Sequence, residues 1–252
     1  MTEQRVYTIN QQGEKLAGLM SIPDRQSDKY PAVILVHGFG VSYEEGGYFG
    51  DMAAELNKAG LCVVRFSFSG RGKSQGDYAE TSLTKMKQDL QSMLDFTRNQ
   101  EQIDQDKIGI LGHSLGVTNI VTLNPDVQCM ILTSSVYRPL EVLKKVYGSS
   151  YRPNGISSYT LKNGEEIKLN PEFWSDISNH DLGKAISLIN ISKLFIHGTA
   201  DKVTPLSEME AYYVNAGEPK EKVVIEGADH GMRPHREKVN QIIVRWFAKH
   251  LK

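Results

Sequence analysis

The sequence predicts an α/β protein, a mostly parallel, doubly wound sheet with a lid subdomain inserted after the sixth strand. Three observations carry that prediction. Short, continuously apolar runs alternate with longer stretches of helical period, as strands covered on both faces by helices require. One long segment, residues 135–190, breaks the alternation. A Gly-x-Ser-x-Gly pentapeptide also stands between one apolar run and an apolar helical start.

Taken in order, residues 5–10 and 16–22 read as an antiparallel pair around Gln12-Gly13. Residues 32–36, 61–66, 108–111, 129–132, 194–196 and 222–225 read as buried parallel strands. Between them, residues 48–58, 83–98, 206–215 and 238–250 are amphipathic. In the second of these helices Met86, Leu90, Met93, Leu94 and Thr97 share one face. Residues 135–190 contain a short helix over 140–147 and a hairpin, with residues 159–161 and 167–169 flanking Asn163-Gly164. This divides the chain into a core, 1–134 with 191–252, and an inserted cap, 135–190. In an open α/β sheet such a cap stands over the carboxyl ends of the strands, where ligands bind.

Composition narrows the function classes. The 252 residues carry 29 Lys and Arg against 30 Asp and Glu, a net charge of -1 without a basic block, which argues against a nucleic-acid partner. The longest apolar runs fall far short of a membrane span. Met1-Thr2-Glu3-Gln4-Arg5 lacks the basic and apolar regions of a signal peptide. Cys62 and Cys129 lie inside apolar runs, as small buried hydrophobes of a reducing compartment, so a cytoplasmic protein is expected. The sequence leaves the oligomeric state open, homo-oligomers included.

Two segments match Gly-x-Ser-x-Gly: Gly112-His113-Ser114-Leu115-Gly116 and Gly72-Lys73-Ser74-Gln75-Gly76. Context separates them. Ser114 follows a buried strand and precedes an apolar helix, the setting in which glycines permit a strained turn that exposes the hydroxyl. Ser74 runs on into polar Asp77-Tyr78-Ala79-Glu80. Ser114 is therefore the candidate nucleophile.

A serine hydroxyl needs a base, and the base an acid. Asp201 and His230 each follow a strand, in the chain order Ser, Asp, His of this fold class. Asp229, adjacent to the histidine, is the weaker acid candidate because neighbouring side chains diverge. His37, His113 and His197 sit in glycine-flanked turns and read as structural hydrogen bonders. Two backbone donors, the N–H groups of Leu115 and Phe39, are the expected oxyanion hole.

No cofactor or metal is expected. His230 and His235 are five apart with Pro234 between them, unlike the helical i, i+4 pair of zinc proteases. Gly72-Lys73-Ser74 ends like a phosphate-binding loop, but the position five before Gly72 holds Ser67 instead of glycine.

Together these motifs, in order from Ala32 to Lys249, resemble the α/β-hydrolase superfamily, specifically its small serine esterases with an insertion after the sixth strand. Residues 65–74 look like a loop that in the family usually reads Asp-x-Arg-Gly-x-Gly-x-Ser. Here Ser67 and Ser69 replace the Asp and Arg, which weakens a close peptidase assignment. The insertion and the Arg-Phe-x-Phe-x-Gly-x-Gly stretch are most similar to bacterial cinnamoyl (feruloyl) esterases. The resemblance implies a carboxylesterase acting through an acyl-enzyme on hydroxycinnamoyl esters, small-molecule substrates whose aromatic acyl group the insertion holds. Tyr137, Tyr159, Phe173 and Trp174 are then candidate substrate contacts, although such a set reads equally well as the insertion's own core. A general short-acyl carboxylesterase and a monoacylglycerol lipase are the alternatives within the superfamily. A catalytically silent binding protein of the same fold is the alternative outside enzymes, against which the complete set of Ser114, Asp201 and His230 speaks.

Overall fold

The computed structural model describes residues 2–161 and 163–251. Met1, where the N-terminal reading starts, lies outside the described residues, as do Lys162 and Lys252. The chain opens with the antiparallel pair β1 (Thr2–Ile9) and β2 (Lys15–Ile22), in register from Thr2↔Ile22 to Ile9↔Lys15. Then follow β3 (Tyr30–Val36), α1 (Tyr48–Lys58), β4 (Cys62–Phe66), α2 (Leu83–Arg98), β5 (Ile103–His113), α3 (Leu115–Leu123) and β6 (Cys129–Thr133). After the sixth strand come α4 (Pro139–Tyr147), the hairpin β7 (Ser157–Thr160) and β8 (Glu166–Leu169), α5 (Pro171–Ser178) and α6 (Leu182–Ser187). The chain closes with β9 (Ser192–Gly198), α7 (Leu206–Asn215), β10 (Lys220–Ile225) and α8 (Arg236–His250).

Eight strands form one sheet in the order β1-β2-β4-β3-β5-β6-β9-β10. From β4 to β10 all neighbours are parallel, and β2 joins β4 antiparallel. The period of two in β3 explains the layering: Val33 and Leu35 pack into the core with α1 and α8, while Ala32, Ile34 and Val36 face the core with α2 and α3. Both faces are therefore buried, which is why the strands read as unbroken apolar runs instead of alternating ones. Each large side chain fully buried here, such as Phe49 or Phe247, contributes roughly 1.5–3 kcal/mol. Ser82 caps α2 by accepting the Lys85 N–H, and Arg98 complements the negative end of the same helix. Cys62 and Cys129 are buried free thiols.

The inserted segment holds the expected helix and hairpin, with Ser157↔Leu169 to Thr160↔Glu166 paired. It also holds two helices, α5 and α6, that follow the hairpin. α5 starts on Pro171, whose missing N–H costs nothing at a helix start, and α6 starts on Asp181, which accepts the Lys184 N–H. α6 packs against α3 and α7 of the main body, α5 packs against both α4 and α2, where Asp176 accepts the Thr84 N–H and hydroxyl, and the hairpin packs on α4 and on the turn at residues 78–80. The hairpin is tied down by Arg71, whose two terminal nitrogens meet the two Glu165 oxygens at 2.5 and 3.0 Å. It also rests on Gly40, where a Cβ would lie 2.6 Å from Ile167 Cδ1. Among the described residues no helix is long and apolar enough to cross a membrane.

Candidate active site

Ser114 occupies a sharp turn between β5 and α3, with φ 55° and ψ -125°, a conformation that side-chain-bearing residues rarely adopt. The flanking glycines make that turn feasible. A Cβ on Gly116 would stand 2.3 Å from the Val36 carbonyl oxygen, so only glycine lets α3 start this close to β3. β9 ends at Gly198 and delivers Asp201, and the loop after β10 delivers His230, both at the carboxyl edge of the sheet.

The three side chains meet. His230 Nδ1 lies 2.8 Å from Asp201 Oδ2, and His230 Nε2 lies 3.1 Å from Ser114 Oγ. A carboxylate only accepts, so Nδ1 carries the proton and Nε2 is free to accept from the serine hydroxyl. Asp201 is anchored from its other side: Oδ1 accepts the N–H groups of Val203 and Thr204, and Oδ2 accepts the Thr204 hydroxyl. Burial alone would push this carboxyl up. The hydrogen bond and charge of His230, together with Thr204, outweigh burial and hold it below the usual carboxylate range. The result is a fixed anion behind an oriented imidazole, an arrangement able to take a proton from Ser114 and stabilise the imidazolium.

Two backbone N–H groups stand ready beside the serine. In the loop after β3 the Gly38 N–H donates to Glu45 Oε2 at 2.5 Å, and the Gly40 N–H donates to the Tyr78 hydroxyl at 2.9 Å. The Phe39 N–H between them has no protein acceptor among the described residues, and neither does the Leu115 N–H at the start of α3. Phe39 and Leu115 both line a cavity of about 530 Å³ that opens on Ser114 and His230.

A buried ion pair that the sequence did not reveal backs the site. His113 Nδ1 lies 3.3 Å from Glu45 Oε1, and His113 Nε2 donates to the His230 carbonyl at 2.8 Å. The Ser134 hydroxyl donates to the same carbonyl. Burial lowers the affinity of His113 for its second proton, but the Glu45 charge outweighs that and holds its pKa above the ordinary value of 6.5. Glu45 is the mirror case: burial would raise it, and His113 with the Gly38 N–H keeps it below its ordinary 4.5. Glu45 itself sits at φ 46°. The pair thus links the loop of Phe39, the turn of Ser114 and the backbone of His230. His37 and His197 are hydrogen bonders: His37 takes the Phe68 N–H at 3.1 Å, and His197 donates to the Thr204 carbonyl at 2.8 Å.

The four insertion aromatics divide. Tyr159 lines the cavity, together with Leu161 of the hairpin and Val142, Leu143 and Val146 of α4. Tyr137, Phe173 and Trp174 do not line it, so the structure corrects the expectation that all four face substrate. Phe173 and Trp174 are buried in a core continuous with that of α2 and α3, where the Trp174 indole donates to Ser157 Oγ and its ring meets Tyr147 and Tyr151 edge-on. Tyr137 packs edge-on against Tyr212, at a separate cleft beside α6. The aliphatic residues of α4 carry no signal of chemistry in the sequence, and only their helical spacing marks them as a buried face.

A strand-turn-helix serine, an acid after β9 and a histidine after β10, on a sheet of this order, define the α/β-hydrolase fold. Residues 27–155 match the family described as serine aminopeptidase, S33 (Hydrolase_4), and the chain belongs to that family. The uncharacterized protein YfhR of Salmonella typhi is 27% identical over 190 residues, 73% of this chain and 62% of that protein. YfhR of Escherichia coli K12 is 25% identical over 196 residues, 73% and 60%. The chain spans about three fifths of the length of these curated relatives. Among solved structures, Est1E from Butyrivibrio proteoclasticus with ferulic acid bound is similar with a TM-score of 0.85, 21% identity, and 97% and 99% of the two chains covered. The esterase domain of a Rhodothermus marinus protein gives 0.79 at 19% identity, with both chains covered fully.

Proposed function

We propose that the protein is a serine carboxylesterase that hydrolyses esters with an apolar acyl group, hydroxycinnamoyl esters foremost, through an acyl-enzyme. The observation that carries this reading is the chain Asp201, His230, Ser114 opening directly into an apolar cavity flanked by the unpaired N–H groups of Phe39 and Leu115. His230 Nε2 takes the hydroxyl proton as Ser114 Oγ bonds to the ester carbonyl carbon. The carbonyl oxygen becomes an oxyanion held by the two N–H groups. Collapse of that intermediate breaks the bond to the alcohol oxygen, which receives the proton from His230. Water, deprotonated by the same imidazole, then releases the acid and regenerates Ser114. Residues 135–190 act as the lid, with the hairpin and α4 as its acyl-facing wall.

Two arguments bear on the acyl group. Est1E, of the same fold, is a ferulic acid binder, and Tyr159 offers an aromatic face in the cavity of this chain. Beside Tyr159 and Phe39, Val136, Val142, Leu143, Val146 and Leu161 form an aliphatic wall, which favours alkyl acyl groups as the second reading. Peptide substrates fit less well. A free α-amine calls for an unpaired carboxylate, and Glu45, the one carboxylate among the cavity's lining residues, is engaged by His113 and the Gly38 N–H.

The test is the ratio of kcat/KM for methyl ferulate to that for ethyl butyrate. A ratio well above one supports the hydroxycinnamoyl reading. A ratio near zero with butyrate turned over assigns the cavity to alkyl chains, and no turnover of either, with Ser114 unreactive to a fluorophosphonate, overturns the esterase reading.

A further inference from the structure

A second cavity of about 440 Å³ adjoins the first at His230, and the two share Glu45, Gly46, Val203 and His230. Their linings differ in kind. The first is apolar, whereas the second presents Lys202, Arg233 and Arg236 around its wall. None of these three cations forms an ion pair with a carboxylate among the described residues. Two carboxylates also lie there. Glu45 is turned toward His113, and Asp229 Oδ1 accepts the Arg233 backbone N–H at 2.7 Å, so three cations stand against two engaged carboxylates and the cleft has an excess of positive charge. Arg236 is half-buried and fixed in place, with Nε donating to the Gly231 carbonyl at 2.8 Å and the guanidinium 4.6 Å from the centre of the Tyr48 ring. Tyr48, on the same wall, is fully buried with a hydroxyl that has no hydrogen-bond partner among the described residues. Burial pushes that hydroxyl's pKa up, so it stays protonated as a donor.

The chemistry gives this cleft a place. The departing alcohol oxygen has to lie within reach of His230 Nε2 to receive its proton. With the acyl group in the apolar cavity, the rest of the substrate extends across His230 into the charged one. We infer that the second cavity is the leaving-group site and that it selects esters whose alcohol part carries an oxyanion, a carboxylate or a phosphate. This rests on the carboxylesterase reading and adds to it the class of the alcohol.

The experiment uses three butyrate esters of similar phenol reactivity: 4-(carboxymethyl)phenyl, 4-(phosphonomethyl)phenyl and the neutral 4-(2-hydroxyethyl)phenyl ester. At low ionic strength the anionic esters should show a kcat/KM about five-fold above the neutral one, and added salt should shrink the gap as screening shortens the range of the attraction. Preference for the carboxymethyl or the phosphonomethyl ester identifies which oxyanion the cleft takes. In the doubly substituted Lys202→Ala/Arg233→Ala enzyme, which alters two exposed side chains, the preference should vanish while the neutral ester stays within about two-fold of wild type. Arg233→Glu should reverse it. Equal rates for all three esters in the wild type overturn the inference and leave the esterase reading intact, as does a preference that survives the double substitution. Failure to hydrolyse any of the three overturns both.

Discussion

The chain holds the same five-residue pattern twice, and the two copies have opposite fates. At Gly112-His113-Ser114-Leu115-Gly116 the serine sits at φ 55° on a turn from strand to helix, its hydroxyl meeting only the imidazole of His230. At Gly72-Lys73-Ser74-Gln75-Gly76 there is no helix, and the serine spends its hydroxyl on the backbone, donating to the Ser67 carbonyl at 2.7 Å and accepting the Ala17 N–H at 2.9 Å. A serine engaged both as donor and as acceptor braces a loop and has little left with which to attack. The pattern supplies the close approach of glycine. The reactive or structural outcome depends on what the flanking elements bring near the hydroxyl.

The sharpest way to break this contrast is Ser114→Ala. Turnover of any ester accepted by the wild type should fall by at least about 10⁴-fold while thermal unfolding is essentially unchanged. Substantial residual activity would place the nucleophile elsewhere.

A second lever lies behind Ser114, which is backed by Glu45 and His113. Glu45 is held below 4.5, so its contribution to stability is present above that pH and lost as pH falls through its folded value. His113 is held above 6.5, so its contribution is full below that pH and lost as pH rises through its folded value. The two coincide between 4.5 and 6.5. Glu45→Gln should therefore cost about 2 kcal/mol of unfolding free energy in that window, with a smaller difference on either side. Urea titrations of both proteins from about pH 4 to about pH 9 give the comparison, and a pH-independent difference would show that the pair is not ionic.

The smallest effect belongs to the other serine. Ser74→Ala should lower stability by about 1 kcal/mol through the lost brace and leave kcat/KM within about two-fold. A loss of activity comparable with that of Ser114→Ala would erase the distinction between the two segments.

Much of this architecture was legible because it rests on local rules. Doubly covered strands give unbroken apolar runs, and the residues that follow those runs, Ser114, Asp201 and His230, fall at one sheet edge by topology alone. Two kinds of feature were not legible. Glu45 and His113 meet because the loop after β3 packs against the end of β5, and nothing near either residue announces the partner. Phe173 and Trp174 drew attention as aromatics, yet with Ile177 they form the buried face of α5, whose start Asn170-Pro171 also marks. Their helical spacing was the better guide, and it points inward. Tyr159, on a short strand, had no such spacing to betray its direction.

The hairpin's seat on Gly40 and Arg71 has an evolutionary corollary. The loop that offers the Phe39 N–H also supports the roof, so backbone changes that would enlarge the cavity also disturb the groups beneath it. Changes of cavity shape are then channelled into side chains on the hairpin, such as Tyr159 and Leu161, which can be exchanged one at a time without altering the geometry of Ser114, His230 and Asp201. A lineage built on this scaffold can reshape its cavity while the three side chains beneath it stand still.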